Sequence, residues 1–118
     1  KLATVEISPS VTSIEEGAFW GCSNLKTLVI PSSVSYIGNY AFEDCHSLET
    51  IEFECKIDSI GDFGIFGGNM TENSIKILVP YGTKDVFSEQ LYNDRKYIKE
   101  IVEILEVERS ATDEEVAE

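Results

Sequence analysis

The chain has 118 residues, of which 42% are apolar, and 22 acidic against 9 basic side chains give it a net charge of -13. This length fits one domain with a single continuous core, and the apolar fraction is too high for a disordered chain. The charge repels nucleic-acid phosphates and anionic lipid headgroups, and no apolar run approaches the roughly 18 residues of a membrane span, so neither nucleic acid nor direct membrane insertion is expected.

The chain opens on Lys1 and Leu2, and Leu2 already occupies a place that recurs at Leu25 and Leu48. From there the apolar positions Leu2, Val5, Ile7, Val11, Ile14, Ala18, Phe19 and Cys22 are repeated 23 residues later as Leu25, Leu28, Ile30, Val34, Ile37, Ala41, Phe42 and Cys45. A third round begins with Leu48, Ile51 and Phe53. A fixed period in the twenties is the signature of a solenoid, in which each unit stacks on the last. The predicted fold class is therefore an α/β repeat solenoid. No cap precedes the first unit, which predicts that the chain is the C-terminal piece of a longer array.

Within a unit, Leu25 to Ile30 alternates and stops at Pro31, which marks a short strand. Its counterparts run from Leu2 to Ile7 and from Leu48 to Phe53, and stacking them predicts one narrow parallel sheet. Val34 and Ile37 open the return arm, and residues 16–19 and 38–42 are expected to form a tight helical turn with Phe19 and Phe42 plugging the core. The third unit keeps Ile57 and Ile60 on schedule, but Phe66 falls one residue late and the next strand, Ile75 to Pro80, needs three extra residues. Residues 62–73 are thus predicted to be an irregular, glycine-rich insertion.

After Pro80 the period ends. Thr83 is expected to cap a short helix reaching about Asn93, with Val86, Phe87, Leu91 and Tyr92 covering the last coil. Tyr97 to Val107, with its Ile and Val residues and alternating Glu103, Glu106 and Glu108, predicts an edge strand. The last ten residues read as a solvated acidic tail. The resulting division is residues 1–80 for the repeats, 81–108 for a C-terminal cap and 109–118 for the tail.

Cys22 and Cys45 lie one repeat apart, roughly 4.8 Å in a stack, so a disulfide is geometrically conceivable. Small buried thiols in equivalent core slots are the preferred expectation. Cys55 adds no CxxC pair and no zinc quartet, so no metal site is expected.

The string from Ser10-Val11-Thr12-Ser13-Ile14 through Ala18-Phe19-Trp20-Gly21-Cys22 to Leu25-Lys26-Thr27-Leu28-Val29-Ile30-Pro31 resembles the BspA-type leucine-rich repeat, and Ser33-Val34 through Leu48-Glu49-Thr50-Ile51 is a second match. The resemblance implies a right-handed, parallel-stranded coil with short helical turns and a terminal helix/strand cap. It also implies a secreted or cell-surface protein, mainly of host-associated bacteria, associated with adhesion to host or microbial surface molecules.

Two surfaces are candidates for binding a protein or glycan ligand. Leu25, Leu28 and Ile30 should point inward, which leaves Lys26, Thr27 and Val29 on the open face of the sheet, with Thr4, Glu6, Glu49, Thr50 and Glu52 as equivalents on neighbouring strands. Thr4, Thr27 and Thr50 should stack as a ladder, and Lys26 should pair with Glu49 across strands. The second surface is the return arm, where Trp20, Tyr36 and Tyr40 supply aromatic anchors and Trp20, whose counterpart is Glu43, is expected to be exposed. No catalytic residue and no cofactor are expected: His46, the one histidine, sits in a turn with no nucleophile to serve. Asn69-Met70-Thr71 is an N-glycosylation triplet that matters only in a eukaryotic secretory setting. A structural spacer that ends a larger surface protein or enzyme is the alternative to adhesion.

Overall fold

The computed structural model describes residues 4–54, 57–61, 63–68 and 70–104. The predicted acidic tail, Cys55, Asp62 and the Asn69 triplet position lie outside the described residues. Five strands stack in parallel, β1 (Thr4–Glu6), β3 (Thr27–Ile30), β5 (Thr50–Phe53), β7 (Ile75–Pro80) and β8 (Ile98–Ile104), in the order β1-β3-β5-β7-β8. The repeat sets the register: Thr4 lies beside Thr27 and Thr27 beside Thr50, each 23 residues on. Thr50 then pairs with Lys76, so the three-residue insertion is taken up before β7.

The expectation of one sheet was incomplete. The return arms form a second parallel sheet of two-residue strands, β2 (Ser13–Ile14), β4 (Tyr36–Ile37) and β6 (Ser59–Ile60). Equal coil lengths bring these residues into register as surely as they do the longer strands, and Ile14, Ile37 and Ile60 line up inside them. At Gly38, just beyond β4, a Cβ would come within 2.5 Å of the Glu16 backbone N, so a residue without one lets the coils close.

The predicted helical turns are corrected. Residues 17–22 and 40–45 form overlapping turns in which alternate N–H groups bond in different directions. The N–H groups of Ala18 and Trp20 donate within the coil to the carbonyls of Glu15 and Gly17. Those of Gly17, Phe19 and Gly21 donate onward to the carbonyls of Asn39, Ala41 and Glu43 at 3.2, 2.7 and 2.9 Å. A continuous helix would aim the N–H groups beyond its first turn at its own carbonyls. Sharing half of them stitches one coil to the next.

The core lies between the two sheets. Leu25, Leu28, Ile30, Ile37, Phe42, Ile51 and Phe53 are fully buried, and aromatic rings run through it as a spine. Phe19 stacks on Phe42 at 5.4 Å, Phe42 meets Phe66 at 6.1 Å, and Phe66 meets Tyr97 at 6.2 Å.

After β7 the return arm is replaced by helix α1 (Lys84–Gln90) and a 3-10 turn over Tyr92–Tyr97. The helix is shorter than expected, and only part of its predicted apolar side is buried. Phe87 and Leu91, four residues apart, face inward, and Phe87 packs on Phe53 at 4.7 Å. Val86 and Tyr92 stand about 100° off that face and are exposed. Thr83 does not cap the helix either, because its Oγ1 donates to the Pro80 carbonyl. The Glu103 carboxylate on β8 takes that role, accepting from the N–H groups of Gly82 and Lys84 at 3.0 Å each. This strand pairs parallel to β7, with Ile77 beside Ile101.

Candidate functional site

Alternation along β3 sends Leu28 and Ile30 into the core and turns Thr27 and Val29 outward. The same alternation in the neighbouring strands makes two rows across the open face of the sheet. The first runs Thr4, Thr27, Thr50, Lys76, Glu100, and the second runs Glu6, Val29, Glu52, Leu78, Val102. Thr4 and Glu6 are placed here by backbone register alone. Lys26 and Glu49 are exposed at the strand entrances, but the expected pair between them is not formed; the Lys26 carbonyl instead accepts from the Glu49 and Thr50 N–H groups. Among the described residues, the ion pair on this face is Lys76 with Glu100, at 4.0 Å. Strand pairing sets which residues face each other, and Lys26 and Glu49 lie before it begins.

The return arms present the other candidate surface. Trp20 is 60% exposed, and its indole Nε1–H donates to the Asp44 carboxylate of the next coil at 3.2 Å. Tyr40 is half-buried and stacks nearly flat on Phe63, with ring centroids 6.4 Å apart and planes 8° from parallel. Phe63 itself is 67% exposed. Tyr36 is half-buried on β4, between Ser13 and Ser59. The structure thus links Trp20 and Tyr40 to three residues not chosen as candidates: Glu43, Asp44 and Phe63. A 23-residue comparison holds the signal for one of them, since it sets Asp44 against Gly21.

The remaining titratable groups serve the fold. Cys22 and Cys45 are free thiols. Cys45 is buried, its Sγ donates to the Phe19 carbonyl at 3.1 Å, and burial pushes the thiol up to about 11. Its thiolate fraction at pH 8 is therefore negligible. Iodoacetamide at that pH is expected to leave Cys45 unmodified in the native protein and to alkylate it once the chain is unfolded. Mass spectrometry of the two digests checks this, and rapid native labelling would contradict the burial.

Asp94, which the sequence did not single out, is 1% exposed. Its Oδ1 accepts from the backbone N–H groups of Ile65 and Phe66, both at 2.9 Å, and burial raises its pKa to about 6. The Phe66 N–H is the equivalent of the Phe42 N–H, which donates to the Ile65 carbonyl of the following coil. Asp94 stands where a further coil would offer a carbonyl. His46 is exposed, and among the described residues no group of three or more His, Cys, Asp and Glu side chains could hold a metal ion.

The family model for the BspA-type leucine-rich repeat region matches residues 1–104 in six copies. The chain belongs to the BspA-type leucine-rich repeat family. The match runs through β8, in keeping with the parallel addition of that strand to the repeat sheet. Neither a curated protein nor a solved structure matches this BspA-type chain. Leucine-rich repeats of this kind are protein-interaction scaffolds and typically non-catalytic. Among the described residues, no helix of this BspA-type chain is long and apolar enough to cross a membrane.

Proposed function

We propose that this chain is a non-catalytic protein-interaction module of a secreted or cell-surface protein, serving adhesion to host or microbial surface molecules of protein or glycan type. The observation that carries this reading is the rigid register of the stack. Coils joined by backbone hydrogen bonds at each turn hold outward side chains on fixed spacings, so weak contacts add across repeats without ordering cost. At a net charge of -13, nucleic acid and anionic lipid are unfavourable ligands.

The test is saturable binding of the purified chain to immobilised matrix proteins and to intact microbial or host cells. Adhesion predicts a saturable signal that weakens when outward residues are changed, with Thr27→Arg on the sheet face and Phe63→Ser on the return arm as the two probes. Absence of saturable binding to every surface would remove the adhesion reading and leave the spacer role.

A further inference from the structure

The second coil differs from its neighbours at two turn positions. Gly17, Tyr40 and Gly64 occupy one of them, with φ of 68°, 57° and 93°, and Gly21, Asp44 and Gly68 occupy the other, with φ of 76°, 62° and 73°. The turn demands a left-handed backbone at both places, which suits glycine, is tolerated by aspartate and disfavours a bulky side chain such as tyrosine. Coils one and three satisfy that demand with glycine, and coil two does so with a tyrosine and an aspartate. Local strain of this kind is retained where the side chain does something for which glycine would not serve.

Those two side chains hold together an exposed patch. Trp20 donates to Asp44. A Cβ on Gly68 would meet the Asp44 and Glu43 side chains, and one on Gly67 would meet Glu43 and Tyr40 at 3.6 Å each, so these three side chains lie side by side over a floor of glycine. Tyr40 then stacks on Phe63. The result is a continuous line, Trp20–Asp44–Glu43–Tyr40–Phe63, that crosses three coils and leaves Trp20 and Phe63 mostly in solvent.

Two carboxylates flanked by aromatic rings select a cation, and a planar guanidinium suits them best: it stacks on a ring while its fork of N–H groups reaches a carboxylate. The field around the patch has the same preference. Between residues 2 and 75 the sequence has two basic residues, Lys26 and Lys56, against eleven acidic ones. We propose that this line docks an arginine-rich segment of a partner protein. This rests on the protein-interaction reading and gives that partner its chemistry.

A fluorescein-labelled peptide of alternating Arg and Ser, titrated with the full chain, tests it by anisotropy, and emission of the single tryptophan, Trp20, provides a second readout. Saturable binding is expected, weakening severalfold between about 50 and about 300 mM salt and quenching Trp20. Tyr40→Gly and Asp44→Gly should each weaken it by about tenfold while leaving the unfolding midpoint unchanged or raised, since glycine relieves the left-handed backbone. Equal affinity for a citrulline–serine peptide, or unchanged binding by both glycine variants, would overturn the proposal. So would binding of chitohexaose at these rings with the arginine peptide ignored. If the peptide does not bind but capture on matrix proteins persists, this inference falls alone; if neither occurs, the interaction reading falls with it.

Discussion

Phe42→Ala is expected to lower the free energy of unfolding by about 3–5 kcal/mol, read as a shift of the urea midpoint at unchanged slope. The ring is fully buried and is held on both sides, by Phe19 at 5.4 Å and Phe66 at 6.1 Å. Its loss removes apolar burial and opens a cavity that three hydrogen-bonded coils cannot collapse into, because the Phe42 N–H and its neighbours fix the coil spacing. It also cuts the aromatic spine in the middle, where a stack with contacts only between neighbours depends on every interface. Thr27→Ala, one strand away on the outward row, should cost less than about 1 kcal/mol. Comparable midpoints for the two variants would contradict the assignment of inside and outside.

Asp94 gives the second large effect, and its sign depends on pH. The ordinary carboxyl value of 3.8 is raised to about 6 in the folded protein, chiefly by burial, while the N–H groups of Phe66 and Ile65 pull it the other way. Between these values the native state holds a proton that the unfolded chain has lost, so stability conferred by this group is full below about pH 4 and declines as pH rises toward 6. Two pH units of displacement correspond to about 3 kcal/mol. Asp94→Asn keeps an acceptor for the Ile65 and Phe66 N–H groups without a charge, so it should match the parent near pH 4 and exceed its stability at pH 7. Asp94→Ala leaves both N–H groups buried and unpaired, and should cost about 2–4 kcal/mol near pH 4, with the deficit shrinking by about 3 kcal/mol toward pH 7 as the parent itself loses stability. Denaturation of the three proteins at both pH values checks this. An Asn variant weaker than the parent at pH 7 would show that the hydrogen bonds to the charged form outweigh its burial.

The arrangement of the repeats was legible in the 23-residue period. Leu25, Leu28 and Ile30 are buried as their spacing implies, Thr27 and Thr50 are adjacent on parallel strands, and Phe19 touches Phe42. Trp20 is exposed, as its pairing with Glu43 in the repeat suggested. The candidate surface was legible only in part. Trp20 and Tyr40 could be chosen as aromatics off the core positions, but their connection through Asp44 and Glu43 depends on left-handed turns that an Ala-Phe motif does not disclose.

The terminal segment was harder to read. Asp94 looks like any solvated acid on a polar turn, and Glu103 like one of several alternating charges on an edge strand, yet each is an acceptor for orphaned backbone N–H groups.

For this protein, the order of its residues determined which side chains face inward and which coils are neighbours, because both follow from a period that the chain states several times over. Tertiary structure alone decided what ends the stack and what joins its coils. A backbone N–H left without a partner carries no mark in the sequence, and the group that satisfies it, whether Ala41 O, Asp94 or Glu103, is known only once the coils are in place.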